Sequence, residues 1–86
     1  MERQEIIDGL VDILKTVRTI DPEKLNHVTE ETDFIADLNT PSTEMINIAA
    51  KAEQKFNVEF DDDDIDNLGS KVKDIVDLIL TVKERD

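Results

Sequence analysis

Apolar residues recur at steps of three and four along three stretches of this chain, which predicts three amphipathic α-helices. The predicted helices span residues 3–18, 41–56 and 71–83. A short helix is predicted before the last one, because a run of aspartates precedes Ile65 and Leu68 and Gly69 follows them. Ser70 is expected to cap the last helix. Nothing in the pattern suggests a strand.

The long connection over residues 19–41 is predicted to be ordered, because a structureless loop of this length is unusual in a small domain. Asp21 and Pro22 suggest a turn or a short helical start, with Asp21 as the cap. Apolar residues that can pin the loop to the core are Leu25, Val28, Phe34, Ile35 and Leu38. The fold class is therefore all-α: a small four-helix bundle, with three long helices, one short helix and a long ordered loop between helices 1 and 2.

Length and composition place residues 1–86 in one domain and exclude several classes of function. The net charge of −12 argues against nucleic acid and anionic membranes, and favours partners with basic docking patches. There is no cysteine, so disulfides and thiolate metal sites are excluded. The sequence shows neither an apolar run of transmembrane length nor a secretory leader, which predicts a cytoplasmic protein without membrane insertion.

The acidic residues do not form a recognisable catalytic or metal site. Asp62, Asp64 and Asp66 have the spacing that begins a calcium loop, but the position for the closing glutamate is Lys73. Weak binding of divalent cations stays open, and a solvated helix start and docking surface is the simpler interpretation. His27 has no nucleophile at a recognisable spacing, so we predict no enzyme and no metal site.

Candidate chemistry centres on Ser42, where the polar loop enters the second helix. Thr40 has the chemistry of a helix N-cap, and Pro41 suits the first helical position. Ser42 would then lie in the first turn, where unpaired N–H groups and the helix dipole favour a phosphate. Two interpretations are open from this local pattern: the hydroxyl residues simply start a helix, or Ser42 carries a group through a phosphodiester.

Two motifs and the order of the predicted helices make the sequence resemble the acyl carrier protein family over nearly its full length. Residues 37–43 read Asp-Leu-Asn-Thr-Pro-Ser-Thr, where the family pattern is Asp-Leu-Gly-x-Asp-Ser-Leu. Residues 53–61 read Glu-Gln-Lys-Phe-Asn-Val-Glu-Phe-Asp, where the family has Glu-x-x-Phe-Gly-Ile-x-Ile-Pro. The spacing from Asp37 through Ser42 to Phe56 matches without a gap.

The resemblance implies that the protein carries an acyl group and does no chemistry itself. Ser42 would be joined covalently to 4′-phosphopantetheine by a holo-acyl carrier protein synthase, which is a phosphopantetheinyl transferase. The terminal thiol would hold the acyl intermediate as a thioester, and a monomer would present it to acyl-activating or acyltransferase enzymes with basic docking surfaces. Residues expected to contact these partners are Asp37, Thr43, Glu44, Met45, Glu53, Asp61 and Asp62.

The chain departs from the family pattern beside the serine. Pro41 replaces an aspartate, Thr43 replaces a leucine, and Asn39 and Asn57 replace glycines. These changes suggest a specialised carrier for a lipid, lipopolysaccharide or secondary-metabolite pathway. The alternative is an unmodified acidic helical protein–protein interaction domain, in which Ser42 only belongs to a helix start.

Overall fold

The computed structural model describes residues 2–85, which form a helical bundle. Within this range there is no strand, and the all-α prediction is confirmed; an isolated antiparallel bridge joins Asp33 to Lys71. A 3₁₀ helix at Pro22–His27 lies in the long loop. The α-helices of the described range are α1 (Arg3–Leu14), α2 (Ser42–Phe56), the short α3 (Asp62–Asp66) and α4 (Val72–Arg85).

Helix α1 packs against both α2 and α4, and their apolar faces form the core. The buried faces follow the predicted periodicity, since each helix contributes residues spaced three or four apart. Core residues from the helices are Ile6, Leu10, Ile13 and Leu14 of α1, Ile48, Ala52 and Phe56 of α2, and Val72, Ile75, Val76, Ile79 and Val82 of α4. None of the helices within residues 2–85 combines the length and apolar character needed to cross a membrane.

Helix α1 ends at Leu14, four residues before the predicted end. The Thr16 hydroxyl donates to the carbonyl oxygen of Ile13 at 2.7 Å, and the Thr16 N–H donates to the same oxygen at 3.0 Å. These contacts tighten the last turn, because a threonine side chain competes for helical carbonyl groups. Val17 and Ile20 still reach the core from the turn that follows.

Helix α1 packs closely against α2 at Gly9. A Cβ atom at position 9 would lie 2.5 Å from Cζ of Phe56 and 3.1 Å from Cε of Lys55. The absence of a side chain at Gly9 therefore makes room for the ring of Phe56.

We expect Gly9→Ala to destabilise the protein by about 1 kcal/mol, because a gain in helix propensity of about 1 kcal/mol is smaller than the cost of overpacking a core contact. Chemical denaturation followed by circular dichroism measures the change. The same substitution in a Phe56→Leu background should be neutral or stabilising, since the shorter side chain leaves room for the methyl group. A stabilising Gly9→Ala in the unaltered chain would contradict the close contact.

The loop before α2 is ordered, as predicted. The Asp21 carboxylate accepts a hydrogen bond from the N–H of Glu23 at 3.0 Å, which confirms Asp21 as a cap. Leu25, Phe34 and Leu38 are buried and pin the loop to the core. Ile35 is 44% exposed, so its predicted role as a core anchor is wrong.

Both asparagines that replace family glycines adopt left-handed backbone conformations. Asn39 has φ 56° and Asn57 has φ 55°, and they are the non-glycine residues of the described range with positive φ. Asparagine tolerates this region better than most residues, although glycine has no Cβ penalty there. The replacement therefore keeps the turn before α2 and the left-handed C-terminal cap of α2 after Phe56.

We expect Asn39→Gly to leave stability within about 0.5 kcal/mol and Asn39→Ala to lower it by about 1 kcal/mol, because alanine is strained at positive φ. Thermal unfolding of the two variants side by side measures the difference. Asn26→Ala, in the 3₁₀ helix, is the matched control for loss of an exposed amide. Equal stability of Asn39→Ala and Asn39→Gly would argue against the left-handed turn.

Helices α3 and α4 begin differently from one another. The Asp61 N–H donates to the Asp64 carboxylate at 3.0 Å, so the aspartate run starts α3 as predicted. The helix ends at Asp66, earlier than the predicted end at Gly69. Ser70 was expected to cap α4, and that prediction is wrong. Its hydroxyl donates instead to Asp33 at 2.8 Å, and the Lys71 N–H donates to Asp74 near the start of α4.

Candidate functional site

Ser42 is the first residue of α2 and its side chain is exposed. Pro41 stands in the N-cap position with φ −59° and ψ 141°, and no side chain caps this end of the helix. The carbonyl oxygen of Pro41 accepts from the Glu44 N–H at 2.9 Å and closes the first turn. The Ser42 hydroxyl therefore lies at an accessible, positively polarised helix end, as the sequence predicted.

Thr40 does not cap α2, which corrects the sequence-based prediction. Its N–H donates to the carbonyl oxygen of Phe34 at 2.9 Å, and this bond, with the left-handed turn at Asn39, draws Thr40 back toward the loop. Thr40 is 2% exposed, and its hydroxyl has no hydrogen-bond partner among residues 2–85. The start of α2 is thus displaced by one residue, and Pro41 takes the position that Thr40 was expected to fill.

We expect Thr40→Val to raise the free energy of unfolding by about 1 kcal/mol, because valine keeps the shape of threonine without a buried, unpaired hydroxyl. Urea denaturation measures the change. Thr43→Val at the exposed neighbouring position is the control and should stay within about 0.5 kcal/mol. A loss of stability in Thr40→Val would show that the hydroxyl is paired.

A cleft of about 290 Å³ opens beside Ser42. The cleft is bounded by α2, by α3 and the segment after it, and by one residue of the loop before α2. Its lining is mostly apolar, and the residues that form it are Ile35, Ser42, Met45, Ile46, Ala49, Ile65, Leu68, Gly69 and Ser70. An apolar group attached at Ser42 would therefore find shelter within reach of its attachment point.

Two large apolar side chains remain exposed at this cleft. Ile46 is 64% exposed and Ile35 is 44% exposed. The sequence placed Ile35 among the apolar residues that pin the loop and Ile46 with the apolar face of the second helix, so neither was predicted as a site residue. The available signal was the position of Ile46 one helical turn after Ser42, which puts it on the same exposed face of α2.

Of the residues predicted to dock partners, Thr43, Glu44 and Met45 lie beside Ser42 in the first turn of α2. Thr43 is exposed, while Glu44 and Met45 are half-buried, and Met45 also lines the cleft. Asp37 is exposed, but its carboxylate accepts from the N–H of Asp33 at 2.8 Å. The Asp37 side chain therefore helps to hold the loop in shape, in addition to adding negative charge to the surface.

The other predicted docking residues lie toward the far end of α2. Glu53 follows Ser42 by about 16 Å of helix, and its carboxylate accepts from the Phe60 N–H at 2.9 Å. Asp61 and Asp62 are exposed at the start of α3. The structure therefore separates the predicted docking residues into two groups, one next to Ser42 and one near the α2–α3 link.

The aspartate run is partly occupied by internal contacts. The pKa of Asp64 is lowered mainly by the hydrogen bond from the Asp61 N–H and further by Arg85, while burial opposes the shift. Across residues 2–85, no three His, Cys, Asp or Glu side chains come together in a way that could hold a metal ion.

Known proteins match the chain over nearly all of its length. It is 38% identical over 79 residues to the acyl carrier protein of Coprothermobacter proteolyticus, covering 92% of this chain and 92% of that protein. The chain belongs to the acyl carrier protein family. The predicted family, all-helical fold and carrier function are confirmed, and acyl carrier proteins are carriers rather than enzymes.

Two further acyl carrier proteins are similar to the chain, and one of them has a more specific name. The chain is 38% identical to the meromycolate extension acyl carrier protein of Mycolicibacterium aurum, covering 95% of this chain and 80% of that one. It is 36% identical to the acyl carrier protein of Thermobifida fusca, and the match covers 88% of this chain and 91% of that protein. No protein-family model matches the sequence. The family membership of this carrier therefore rests on individual relatives.

Proposed function

We propose that Ser42 of this carrier is the attachment site of 4′-phosphopantetheine, whose thiol holds an acyl intermediate as a thioester. The observation that carries the proposal is the accessible Ser42 hydroxyl at the first position of α2, beside an apolar cleft. Family membership and the ungapped match of residues 37–56 to the family motif support the same residue.

The start of α2 suits the phosphate of the prosthetic group. The first N–H groups of a helix have no intrahelical acceptor, and the helix dipole places partial positive charge there. Because no side chain caps this end, the N–H groups of Ser42 and Thr43 can meet the phosphate, while that of Glu44 donates to the carbonyl oxygen of Pro41. The prosthetic group would supply the thiol that the sequence lacks, while the chain positions that thiol and shelters its cargo.

The cleft favours a small apolar cargo or the first part of a longer chain. Its volume of about 290 Å³ is at the lower end of the range for ligand pockets. Met45 and Ile46 form its α2 wall, and Ile65 faces them from α3. Each methylene that leaves water for such a surface contributes about 0.8 kcal/mol, so sheltering even a short chain would be favourable.

Partners would approach the exposed face around Ser42. The negative charge of the chain attracts enzymes with basic surfaces, and the exposed side chains of Ile46 and Ile35 offer apolar contact. We propose that a holo-acyl carrier protein synthase and acyl-transferring enzymes dock here, with Thr43, Glu44 and Met45 in contact. Asp37, Glu53, Asp61 and Asp62 would contribute long-range attraction.

The pathway is proposed to be specialised rather than general fatty acid synthesis. Relatives named for meromycolate extension match nearly the whole chain, which is consistent with a dedicated role. Pro41 and Thr43 alter the surface beside the serine, where a synthase must recognise its substrate. The whole of residues 1–86 would act as one carrier unit in the cytoplasm.

The experiment is intact-mass measurement after incubation with coenzyme A and each of several phosphopantetheinyl transferases. The expected result is a gain of one phosphopantetheine, assigned to the Ser42 peptide by fragmentation. Acyl-coenzyme A in place of coenzyme A should add the acylated group in the same position. No gain with any transferase, under conditions that load a known carrier, would favour the unmodified interaction domain.

A further inference from the structure

The cleft beside Ser42 has walls that come from distant parts of the sequence. Ile35 belongs to the loop before α2, whereas Ser70 lies between α3 and α4. The width of the cleft therefore depends on what holds these two segments together.

One carboxylate contacts both segments. One oxygen of Asp33 accepts hydrogen bonds from the backbone N–H groups of Ile35 at 2.8 Å and Ala36 at 2.9 Å. Its other oxygen accepts from the Ser70 hydroxyl at 2.8 Å, across 37 positions of sequence. Asp33 thus fixes the backbone that carries Ile35 and, at the same time, the side chain of Ser70.

Backbone hydrogen bonds run alongside this contact. The Phe34 N–H donates to the carbonyl oxygen of Ser70, and the Val72 N–H donates to that of Thr32, both at 2.8 Å. The pKa of Asp33 is lowered, first by the Ala36 N–H and then by the Ser70 hydroxyl, while burial opposes the shift. The acceptor is therefore an ionised carboxylate at neutral pH, which strengthens its hydrogen bonds.

We propose that Asp33 is a positioning residue which, through Ser70, sets the width of the cleft and so the size of the acyl chain sheltered beside Ser42. The identity of the occupant as an acyl chain rests on the proposed function, whereas the effect on the cleft does not. Loss of the Ser70 hydroxyl leaves the backbone hydrogen bonds between the loop and the segment before α4 in place. The two segments therefore stay paired, but the distance between them at the cleft can increase.

The first test uses loaded protein. Ser70→Ala removes the contact, Ser70→Thr retains a hydroxyl, and Thr81→Ala removes a hydroxyl that donates to Asp77 in α4, outside the cleft lining. Each variant is loaded with a series of straight-chain acyl groups, and the rate of thioester cleavage by hydroxylamine is measured for each chain length. Each methylene that enters the cleft should favour the sheltered state by about fourfold.

We expect Ser70→Ala to move the best-protected acyl group to a longer chain, because the wider cleft accepts more methylenes. Ser70→Thr should restore the length preference of the unaltered protein, and Thr81→Ala should not change it. A length preference that is the same in Ser70→Ala as in the unaltered protein would overturn the proposal. So would a Ser70→Thr variant that behaves like Ser70→Ala.

The second test uses unmodified protein and a neutral fluorophore, N-phenyl-1-naphthylamine. We expect Ser70→Ala to change its Kd by about threefold or more, the equivalent of one weak hydrogen bond, with rescue by Ser70→Thr. If Ser42 cannot be loaded but the fluorophore responds in this way, the attachment proposal fails while the role of Asp33 stands. An unchanged Kd in Ser70→Ala overturns the role of Asp33, whether or not Ser42 accepts the prosthetic group.

Folding of the variants is checked by amide hydrogen exchange at Phe34 and Val72. Slow exchange at both shows that the segments remain paired. If Ser70→Ala exchanges rapidly at these amides, Ser70→Cys replaces it in both tests, since a thiol is only a weak donor at the same position. The same shift of chain length is expected for Ser70→Cys, and its absence overturns the proposal.

Discussion

Ser42→Ala is expected to abolish the gain in mass on incubation with a phosphopantetheinyl transferase, with no loss of folding. The chain contains one other serine, at position 70, so the substitution removes the only serine hydroxyl at the start of α2. Ser42 is exposed and does not occupy the cap position, so stability should change by less than about 0.5 kcal/mol. Intact mass measures the loading, and thermal unfolding measures the stability.

Ser70→Ala is the matched control for this experiment. It removes the other serine hydroxyl and should still accept the prosthetic group, because position 70 lies outside α2. In the cell, Ser42→Ala should fail to replace the unaltered gene when both are expressed at equal levels. If Ser42→Ala still gains the mass of phosphopantetheine, the attachment site is wrong. If it replaces the gene fully in the cell, the interaction-domain alternative is the better description.

Phe34→Ala is expected to lower the free energy of unfolding by about 3–5 kcal/mol, the usual cost of removing a fully buried aromatic side chain. Phe34 has no exposed surface, and its backbone joins the loop to both Ser70 and Thr40. A chain of 86 residues has a total stability of only about 4–13 kcal/mol. Loss of this ring should therefore leave the protein partly unfolded near physiological temperature, as measured by urea denaturation and thermal melting.

Two other phenylalanine variants separate the anchoring role of Phe34 from loss of an aromatic ring in general. Phe34→Leu should cost about 1 kcal/mol, because leucine fills most of the same space. Phe60→Ala should cost less than Phe34→Ala, since Phe60 is only half-buried at the edge of the core. A cost below about 1 kcal/mol for Phe34→Ala would mean that the loop is not anchored through this ring.

Local sequence signals predicted the caps only where the partner is nearby along the chain. Asp21 and its partner Glu23 are two residues apart, and the Asp61–Asp64 contact spans three, so both helix starts were correctly predicted. The caps assigned to Thr40 and Ser70 were wrong for a shared reason. Each residue meets a partner from the loop segment 33–34 instead, through its backbone or its hydroxyl, and no local pattern describes that contact.

The sequence by itself determined the helical fold, the order and approximate bounds of its helices, and the spacing that singles out Ser42. The helices follow from apolar periodicity and turn residues, which act over a few neighbouring positions, whereas Ser42 is singled out by the resemblance of residues 37–43 to the family motif. Only the tertiary structure decided that Ile46 and Ile35 stay exposed and that Asp33 meets Ser70 at the cleft. The physical reason is that the period of a helix specifies a face, whereas burial of that face depends on which distant segment packs against it.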